Sequence, residues 1–240
     1  SPVIRNCRFL ENSGVSEGGA IRIDGTSTPR FEDCEFSDNA ASGGTNIRGG
    51  AIYMTGSGVD VTFVDCAFNR NLSRANQRES RADGGAICLR SGSRLEVTGC
   101  TFDSNLVSAQ SDSYCGNQTA LAIGGAIQAE SDTAVVVVGC QFVGNEAHVD
   151  IFDNDSGGGY FFYTYGRDYG GAIDITTRSS LAVRQTTFDS HRLTSYQSTN
   201  SNASNKRTYA EFAGTVISAR GDSVDITLED VDITGGEITQ

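Results

Sequence analysis

The sequence has no tryptophan, two prolines, two histidines and one methionine among its 240 residues. The scarcity of proline leaves backbone N–H groups free to pair in sheets. The two histidines, His148 and His191, leave few side chains for general acid–base chemistry. No apolar run reaches the 18 or so residues of a membrane span, so none is predicted. Because the sequence opens directly on the strand-like Pro2-Val3-Ile4, we expect it to be a mature or excised piece, and the lack of a signal peptide at this point says nothing about secretion.

Positive charge is also scarce, with 18 lysines and arginines against 30 aspartates and glutamates, a net charge of −12. Nucleic-acid binding needs a basic face that neutralises phosphates, so this composition argues against it. Glycine, in contrast, occurs 29 times. Many backbone positions are therefore expected to need glycine's conformational freedom.

Two phrases recur along the chain. The first, C-x-F-x-x-N, begins at Cys7, Cys34, Cys66, Cys100 and Cys140, with a degenerate sixth copy containing Phe188 and His191 and a seventh containing Val231 and Ile233. The second, Gly-Gly-Ala-Ile, begins at Gly18, Gly49, Gly84, Gly124 and Gly170, with weaker echoes at Gly214 and Gly235. Repeats of this period are typical of solenoids.

Alternation of apolar residues predicts three short strands in each repeat. The cysteine and phenylalanine of C-x-F share one face, as do Ile52 and Met54 in the strand after Gly-Gly. Each strand is too short to stand alone, but stacking of successive repeats gives three parallel sheets around one core. The sequence therefore predicts an all-β fold, a single right-handed parallel β-helix of about seven three-strand coils. We expect residues 1–240 to form one domain.

The spacing of the phrases places all length variation at one corner. From the first glycine of Gly-Gly to the next cysteine position takes 16 or 17 residues in every coil. From the asparagine position to Gly-Gly, the intervening residues number 5, 9, 12, 18, 24 and 22. We therefore predict long loops that leave one corner, lie side by side and form the binding face.

The repeated F-x-x-N and Gly-Gly-Ala-Ile phrases resemble the polymorphic outer membrane protein repeats of chlamydial autotransporter adhesins and related extracellular repeat proteins. The resemblance covers nearly the whole chain. It implies a surface-exposed β-helical passenger involved in adhesion, located outside the cell or at its surface. The C-terminal membrane barrel of those autotransporters is not part of this sequence, and the repeat does not prescribe the long loops.

Two sets of repeated residues are predicted to be structural ladders. The asparagines should stack their amides at a corner, and the cysteines should pack inward beside phenylalanine as small hydrophobes. A line of in-register cysteines does not converge on a metal ion. The ladder residues are Asn12, Asn39, Asn71, Asn105 and Asn145, and Cys7, Cys34, Cys66, Cys100 and Cys140.

Modification sites are also suggested by the sequence. Cys88, at an outward position, is a candidate for a disulfide with Cys115 in the next coil's loop. N-glycosylation sequons occur at Asn117, Asn154 and Asn202, whereas the sequon at Asn71 should be buried with its ladder. Arg220-Gly221-Asp222 spells an integrin-type tripeptide, but it falls at a tight turn where glycine is expected anyway.

The loop of coil 5 combines acidic and aromatic residues. Asp150, Asp153 and Asp155 are candidate calcium ligands, although their spacing matches no defined calcium loop. The aromatic residues are a candidate interaction surface, with coverage of the neighbouring loop or sheet as the alternative. They are Tyr160, Phe161, Phe162, Tyr163 and Tyr165.

Pectate-lyase-like enzymes share the predicted fold, so catalysis needs a separate test. The outward positions of the first two strands carry no carboxylate cluster, and valines occupy the middle coil at Val136 and Val138. Neither histidine has an evident orienting partner in the sequence. We therefore expect a non-catalytic surface scaffold, an adhesin passenger or stalk, without a cofactor. The alternatives are a subunit that polymerises end to end and a carbohydrate-active enzyme with residues from the loops.

The expected partners are a cell-surface or glycan ligand, or further copies or repeats stacked on the ends. An open β-helix end exposes unpaired backbone groups and bare core. Neither end of this sequence offers a capping segment. We therefore expect the chain to be excised from, or stacked within, a longer assembly.

Overall fold

A computed structural model describes residues 1–77, 79–113, 118–153, 162–199 and 206–239. Within these ranges the regular structure is entirely β, and every pairing between named strands is parallel. None of the described residues forms a helix capable of crossing a bilayer. The chain winds through successive coils, each lying on the one before.

The strands fall into seven coils. Coil 1 contains β1 (Val3–Arg5), β2 (Arg8–Leu10), β3 (Ser13–Gly14) and β4 (Ile21–Asp24). Coil 2 contains β5 (Arg30–Glu32), β6 (Glu35–Ser37), β7 (Ala40–Ser42), β8 (Asn46–Arg48) and β9 (Ile52–Thr55). Coil 3 contains β10 (Asp60–Val64), β11 (Ala67–Asn69), β12 (Leu72–Ala75), β13 (Glu79–Asp83) and β14 (Ile87–Arg90). Coil 4 contains β15 (Arg94–Thr98), β16 (Thr101–Asp103), β17 (Leu106–Ser113), β18 (Gln118–Ile123) and β19 (Ile127–Glu130).

Later coils follow the same order with some strands merged. Coil 5 contains β20 (Ala134–Val138), β21 (Gln141–Val143), β22 (Glu146–Asp153), β23 (Phe162–Tyr169) and β24 (Ile173–Thr176). Coil 6 contains β25 (Ser180–Thr199), β26 (Lys206–Ala213) and β27 (Ile217–Arg220), and coil 7 contains β28 (Asp225–Thr239). Sheet B consists of β8, β13, β18, β23 and β26, sheet C of β4, β9, β14, β19, β24 and β27, and sheet A of the remaining strands.

The predicted inward face is confirmed. Phe36, Phe68, Phe102, Phe142 and Phe188 are fully buried. Neighbouring rings in this row stack with centroids 4.6–4.9 Å apart. They pack with the inward residues of sheet C and of the first strand in each coil, and together these residues form the main core. Register from coil to coil matches the predicted ladders, as in the pairing of Phe68 with Phe102.

The segments predicted as long loops are largely strands. In each of coils 2 to 6, the chain between the asparagine position and Gly-Gly adds one segment to sheet A and one strand to sheet B. These two layers, which we call the wing, enclose a second core of small residues such as Ala109, Ala122 and Val149. Alternating small residues bury one face without the large side chains that mark a strand in a sequence. The loop prediction was therefore wrong for most of each insertion.

The asparagine ladder is confirmed at the corner between the main core and the wing. Asn71 Nδ2 donates to Asn105 Oδ1 at 2.9 Å and to the Phe36 carbonyl at 2.8 Å. The backbone N–H of Asn71 also donates to Asn105 Oδ1, at 3.0 Å. The left-handed residue here is the one before the asparagine, for example Arg70 with φ 52°. The asparagines are thus required for hydrogen bonding between coils and not for backbone conformation.

His191 replaces asparagine in coil 6. Its Nδ1 accepts the backbone N–H of Asn145 at 3.1 Å, as an asparagine Oδ1 would. The ring is buried, and this desolvation lowers the pKa of His191 to about 4 despite contacts with the backbone of Asn145 and Phe142. A neutral imidazole therefore continues the amide row.

The cysteine ladder is buried as predicted, and its thiols are also hydrogen-bonded. The Cys66 N–H donates to Cys100 Sγ at 3.4 Å, and Cys66 Sγ lies 3.3 Å from the Val64 carbonyl oxygen that it donates to. In coil 6, the hydroxyl of Thr186 takes the place of the thiol and accepts the Cys140 N–H at 3.3 Å. The position therefore needs a small side chain that both accepts and donates.

The Gly-Gly pair lies where the three sheets meet. Gly49 has φ 66°, and a Cβ there would lie 1.9 Å from the Ile52 carbonyl oxygen. A Cβ on Gly50 would lie 2.0 Å from the Gly85 carbonyl oxygen. The first glycine turns the chain from sheet B into sheet C, and the second allows the wing to approach the main coil.

Candidate functional site

Sheets B and C meet at the Gly-Gly bend, and their outer faces line a trough that follows the solenoid axis. Sheet B contributes Asp83 and Tyr169 to its floor, and sheet C contributes Cys88, Gln128 and Asp174. All five side chains are buried, although those of sheet C point away from the main core. The trough is therefore a third packed region, and it is polar.

In coils 3 and 4 the trough is crossed by ion pairs. Arg81 Nε donates to both Oδ atoms of Asp83 at 2.9 Å, and Arg81 Nη2 donates to Glu130 Oε2 at 2.6 Å. Arg90 Nη2 also donates to Glu130 Oε2, at 2.5 Å. Burial raises the pKa of Asp83, with Arg81 opposing it. Burial would also raise the pKa of Glu130, but the charges of Arg81 and Arg90 outweigh it and lower that pKa.

In coils 5 and 6 a second arginine is fixed in the same way. Arg220 Nε and Nη2 donate to the two carboxylate oxygens of Asp174 at 3.0 and 2.9 Å. Its guanidinium carbon lies 3.7 Å from the centroid of the Tyr169 ring. Asp174 is buried, and this raises its pKa while the bonds from Arg220 oppose the shift. The guanidinium is held by a bidentate pair and an aromatic face.

The same arrangement begins in coils 1 and 2. Arg48 Nη1 donates to Glu17 Oε1 at 2.7 Å, and Arg22 also pairs with Glu17. Both guanidiniums lie near the Tyr53 ring, with centroid distances of 5.7 Å for Arg22 and 6.0 Å for Arg48. Paired arginines therefore recur along the trough.

Two open cavities lie along the trough and the adjacent face of sheet B. One of about 230 Å³ is lined by Arg81, Glu130, Arg167, Tyr169 and Arg220, among others. The other, of about 460 Å³, lies over coils 2 to 4 and shares Arg81 and Leu121 with the first. The two cavities therefore adjoin each other at Arg81 and Leu121.

The predicted disulfide is wrong. Cys88 is a free thiol that is fully buried on the trough floor, where it donates to Gln128 Oε1 at 3.1 Å. Its outward position on sheet C suggested access to the next loop, but the wing covers that face. Cys115 lies outside the described residues.

Other predicted sites fall partly outside the described residues, namely Asn117, Asn154, Asp155, Tyr160, Phe161 and Asn202. Asp153, Phe162, Tyr163 and Tyr165 belong to the backbones of β22 and β23, but their side chains are not described. Asn71 is buried as predicted for its sequon. The calcium and glycosylation sites stay predictions, as does the aromatic interaction surface.

Asp150 pairs with a histidine, contrary to the expectation that neither histidine has an orienting partner. His148 Nε2 lies 2.9 Å from Asp150 Oδ1, and His148 Nδ1 lies 2.6 Å from Thr194 Oγ1. Because β22 and β25 pair in register, Thr194 stacks directly on His148. Among the described residues, no group of three histidine, cysteine or acidic side chains is arranged to hold a metal ion.

This cluster differs from a nucleophile–base pair in its proton arrangement. The Thr194 hydroxyl donates to Glu146 Oε1, so its oxygen accepts from His148 Nδ1–H. A hydroxyl in this state has no proton to transfer to the imidazole. The ring of His148 thus lies between the carboxylates of Glu146 and Asp150. The pairing of β22 and β25 also commits their backbone N–H groups to the parallel ladder.

Sequence reasoning missed the trough, because the outward residues of the strand after Gly-Gly were not aligned with one another from coil to coil. Those positions carry Arg90, Glu130 and Arg220 in one row, and Cys88, Gln128 and Asp174 in the other. A charged row on a strand that follows a fixed bend was the available signal. Arg220, noted only for its Arg-Gly-Asp tripeptide, is instead committed to Asp174, while Gly221 makes the expected turn with φ 91°.

Comparison with known proteins identifies one family. A family model described as "Right handed beta helix region" matches residues 1–208. This confirms the predicted right-handed β-helix. No curated protein and no solved structure matches the chain.

Proposed function

This chain belongs to the right-handed β-helix family, and we propose that it is a non-catalytic scaffold that binds a glycan or another cell-surface ligand. The trough supports this proposal, because it offers oriented guanidinium donors on a rigid solenoid. Its placement outside the cell, as an adhesin passenger or stalk, is supported by the resemblance of the repeats to those of surface adhesins.

One observation carries the proposal of binding without catalysis. The carboxylates Asp83 and Asp174 on the trough floor are 1% and 0% exposed. Arg81 Nε donates to both oxygens of Asp83, and Arg220 holds Asp174 in a bidentate pair. A general acid or base must reach the substrate and exchange a proton with it. These groups instead fix the arginines, whose remaining N–H groups are left to bind a ligand.

A glycan array run in parallel with a turnover assay tests this function. We expect retention of at least one glycan class with no release of reducing ends or unsaturated products from the same glycans. Product release would establish the alternative of a carbohydrate-active enzyme. Failure to bind any glycan or cell surface would overturn the proposal.

A second candidate, an end-to-end structural subunit, is favoured by the last described coil. Its side chains Leu228 and Ile233 are 49% and 51% exposed, although both lie in register with core ladders. Further repeats of a longer chain or a second copy would cover them. Concentration-dependent association in sedimentation that Leu228→Lys weakens would support the second copy, and a stable monomer at high concentration would exclude it.

A further inference from the structure

We propose that Cys88 and Gln128 form an internal thioester, a covalent cross-link between coils 3 and 4. The cross-link is independent of ligand binding and follows from a contact on the trough floor. Cys88 Sγ lies 3.1 Å from Gln128 Oε1. The two residues are register partners on the adjacent parallel strands β14 and β19, and both are 0% exposed. A thiol is thus held against a side-chain carboxamide in a place closed to solvent.

The amide nitrogen of Gln128 is buried without a hydrogen bond. Its Nε2 has no partner among the described residues, although a primary amide carries two N–H donors. Buried polar groups without partners are rare in folded proteins, and each one calls for an explanation. Loss of this nitrogen as ammonia removes both unpaired donors and leaves the carbonyl group in place.

The reaction is an acyl transfer from nitrogen to sulfur. The Sγ–Cδ bond forms, the Cδ–Nε2 bond breaks, and the thiol proton goes to the departing nitrogen, which leaves as ammonia. No electrons are gained or lost, so neither an oxidant nor a co-reactant is needed. Because a carbonyl bond is about 1.23 Å long, Cys88 Sγ lies within about 4.3 Å of Gln128 Cδ, and a rotation of the amide brings the two atoms into attacking range.

Burial affects both the formation of the thioester and its survival. It raises the pKa of Cys88 well above its usual value, so the thiol keeps the proton that the departing nitrogen needs. A neutral thiol is a weaker nucleophile than a thiolate, and we therefore expect the reaction to be slow and to follow folding. The fixed approach of the two side chains favours it, and the exclusion of water protects the product from hydrolysis.

The cysteine ladder provides the contrast within the same chain. Each ladder thiol donates to a backbone carbonyl, as Cys100 Sγ does to Phe63 and Thr98, and not to a side-chain amide. These carbonyls belong to the main chain, where an acyl transfer would break the polypeptide. We therefore expect Cys88 to react and the ladder cysteines to stay free.

Intact-mass spectrometry of the purified chain tests the proposal. We expect the mass to fall short of the sequence value by one ammonia molecule, and Cys88 to resist alkylation in denaturant while the ladder cysteines are modified. Peptide mapping should find the loss in a cross-linked pair of peptides that contain Cys88 and Gln128. Methylamine added to the denatured chain should release the Cys88 thiol and convert Gln128 to its N-methylamide.

Matched variants separate this cross-link from other losses of ammonia. Cys88→Ala and Gln128→Met should each restore the full mass, because each removes one reacting group. Cys140→Thr is the control, since Thr186 occupies the same ladder position in coil 6, and this variant should keep the loss. A full mass for the unaltered chain with every cysteine alkylated, or a loss that persists in Gln128→Met, would overturn the proposal. The unaltered chain decides the question even if a variant does not fold.

Discussion

The main core and the wing core are stacked in the same register, but they are filled differently. The main core stacks large rings such as Phe102 and Phe142, whereas the wing core is built mostly from alanine with a few larger residues such as Val149 and Ile151. Large apolar side chains contribute most of the burial energy per residue. The comparison indicates that the main core sets the coil and the wing follows its register. It also explains how wing length varies while the main arc stays constant.

The largest expected effect comes from breaking the main core. Phe102→Ala should destabilise the chain by about 3–5 kcal/mol, because it leaves a cavity between the rings of Phe68 and Phe142. Phe102→Leu, which keeps most of the volume, serves as the control and should cost clearly less. Denaturant unfolding measures both. An alanine variant as stable as the parent would show that the ring stack does not set the coil.

The corner between the two cores should respond to pH through His191. Its folded pKa of about 4 lies below the 6.5 of an unperturbed histidine, so the unfolded chain binds the proton more readily between these values. Stability should therefore fall as pH drops from 6.5 to 4, by about 3 kcal/mol in total from this residue.

His191→Asn would restore the amide row and remove that contribution. The pH dependence of unfolding, measured for parent and variant, checks the prediction. Identical slopes between pH 6.5 and 4 would mean that His191 does not titrate as its burial implies.

Asp168 is a buried polar residue in the wing core, and its replacement by alanine should increase the stability of the chain. Asp168 lies in register with Ala122 and Ala82, and its Oδ1 has no hydrogen-bond partner among the described residues. Burial raises the pKa of Asp168, and Glu146 and Asp150 raise it further. Ionisation is thus costlier in the folded state, and stability from this group declines as pH rises above its unfolded pKa.

Asp168→Ala should stabilise the chain by about 1–3 kcal/mol at neutral pH and by less at about pH 4. Asp150→Ala is the contrasting variant, since that carboxylate is paired with His148. Thermal melts across this pH range provide the measurement. A destabilised Asp168→Ala protein would indicate that the carboxylate has a partner required by the fold.

The smallest effect is a direct comparison of the two cores within one coil. Val137 in the main core and Val149 in the wing are both fully buried in coil 5. Each valine-to-alanine change removes the same atoms, but the wing layers are lined by small residues and can close over the gap more easily. We expect Val137→Ala to cost about 1 kcal/mol more than Val149→Ala. Equal losses would show that the two cores are equally rigid.

The parts of the fold that were predictable are those where large residues repeat at fixed spacing. Phe68 and Phe102 predict an inward face, and Gly49-Gly50 predicts a fixed bend. The wing was not predictable in the same way, because Ala109 and Ala122 alternate with polar residues much as a loop does. An alternating strand pattern can be recognised in a sequence when its apolar residues are large as well as hydrophobic.

The trough required knowledge of which residues become neighbours. Arg81 meets Glu130 across 49 positions, and Arg220 meets Asp174 across 46. These separations depend on the lengths of the intervening wings, which differ from coil to coil. The register of the repeats is enough to predict the outward rows of sheet C. Their burial under sheet B could not be predicted, because it depends on the wing being folded.

The asparagine ladder also gives the solenoid a dipole along its axis. Each Nδ2 from Asn12 to Asn105 donates to the Oδ1 of the following coil, so the amide dipoles point the same way. Backbone dipoles largely cancel within a sheet, whereas these add along the axis. The oxygen end lies at Asn12, and the N–H end points toward coil 6. The row ends at coil 6, where the Nδ1 atom of His191 accepts the backbone N–H of Asn145.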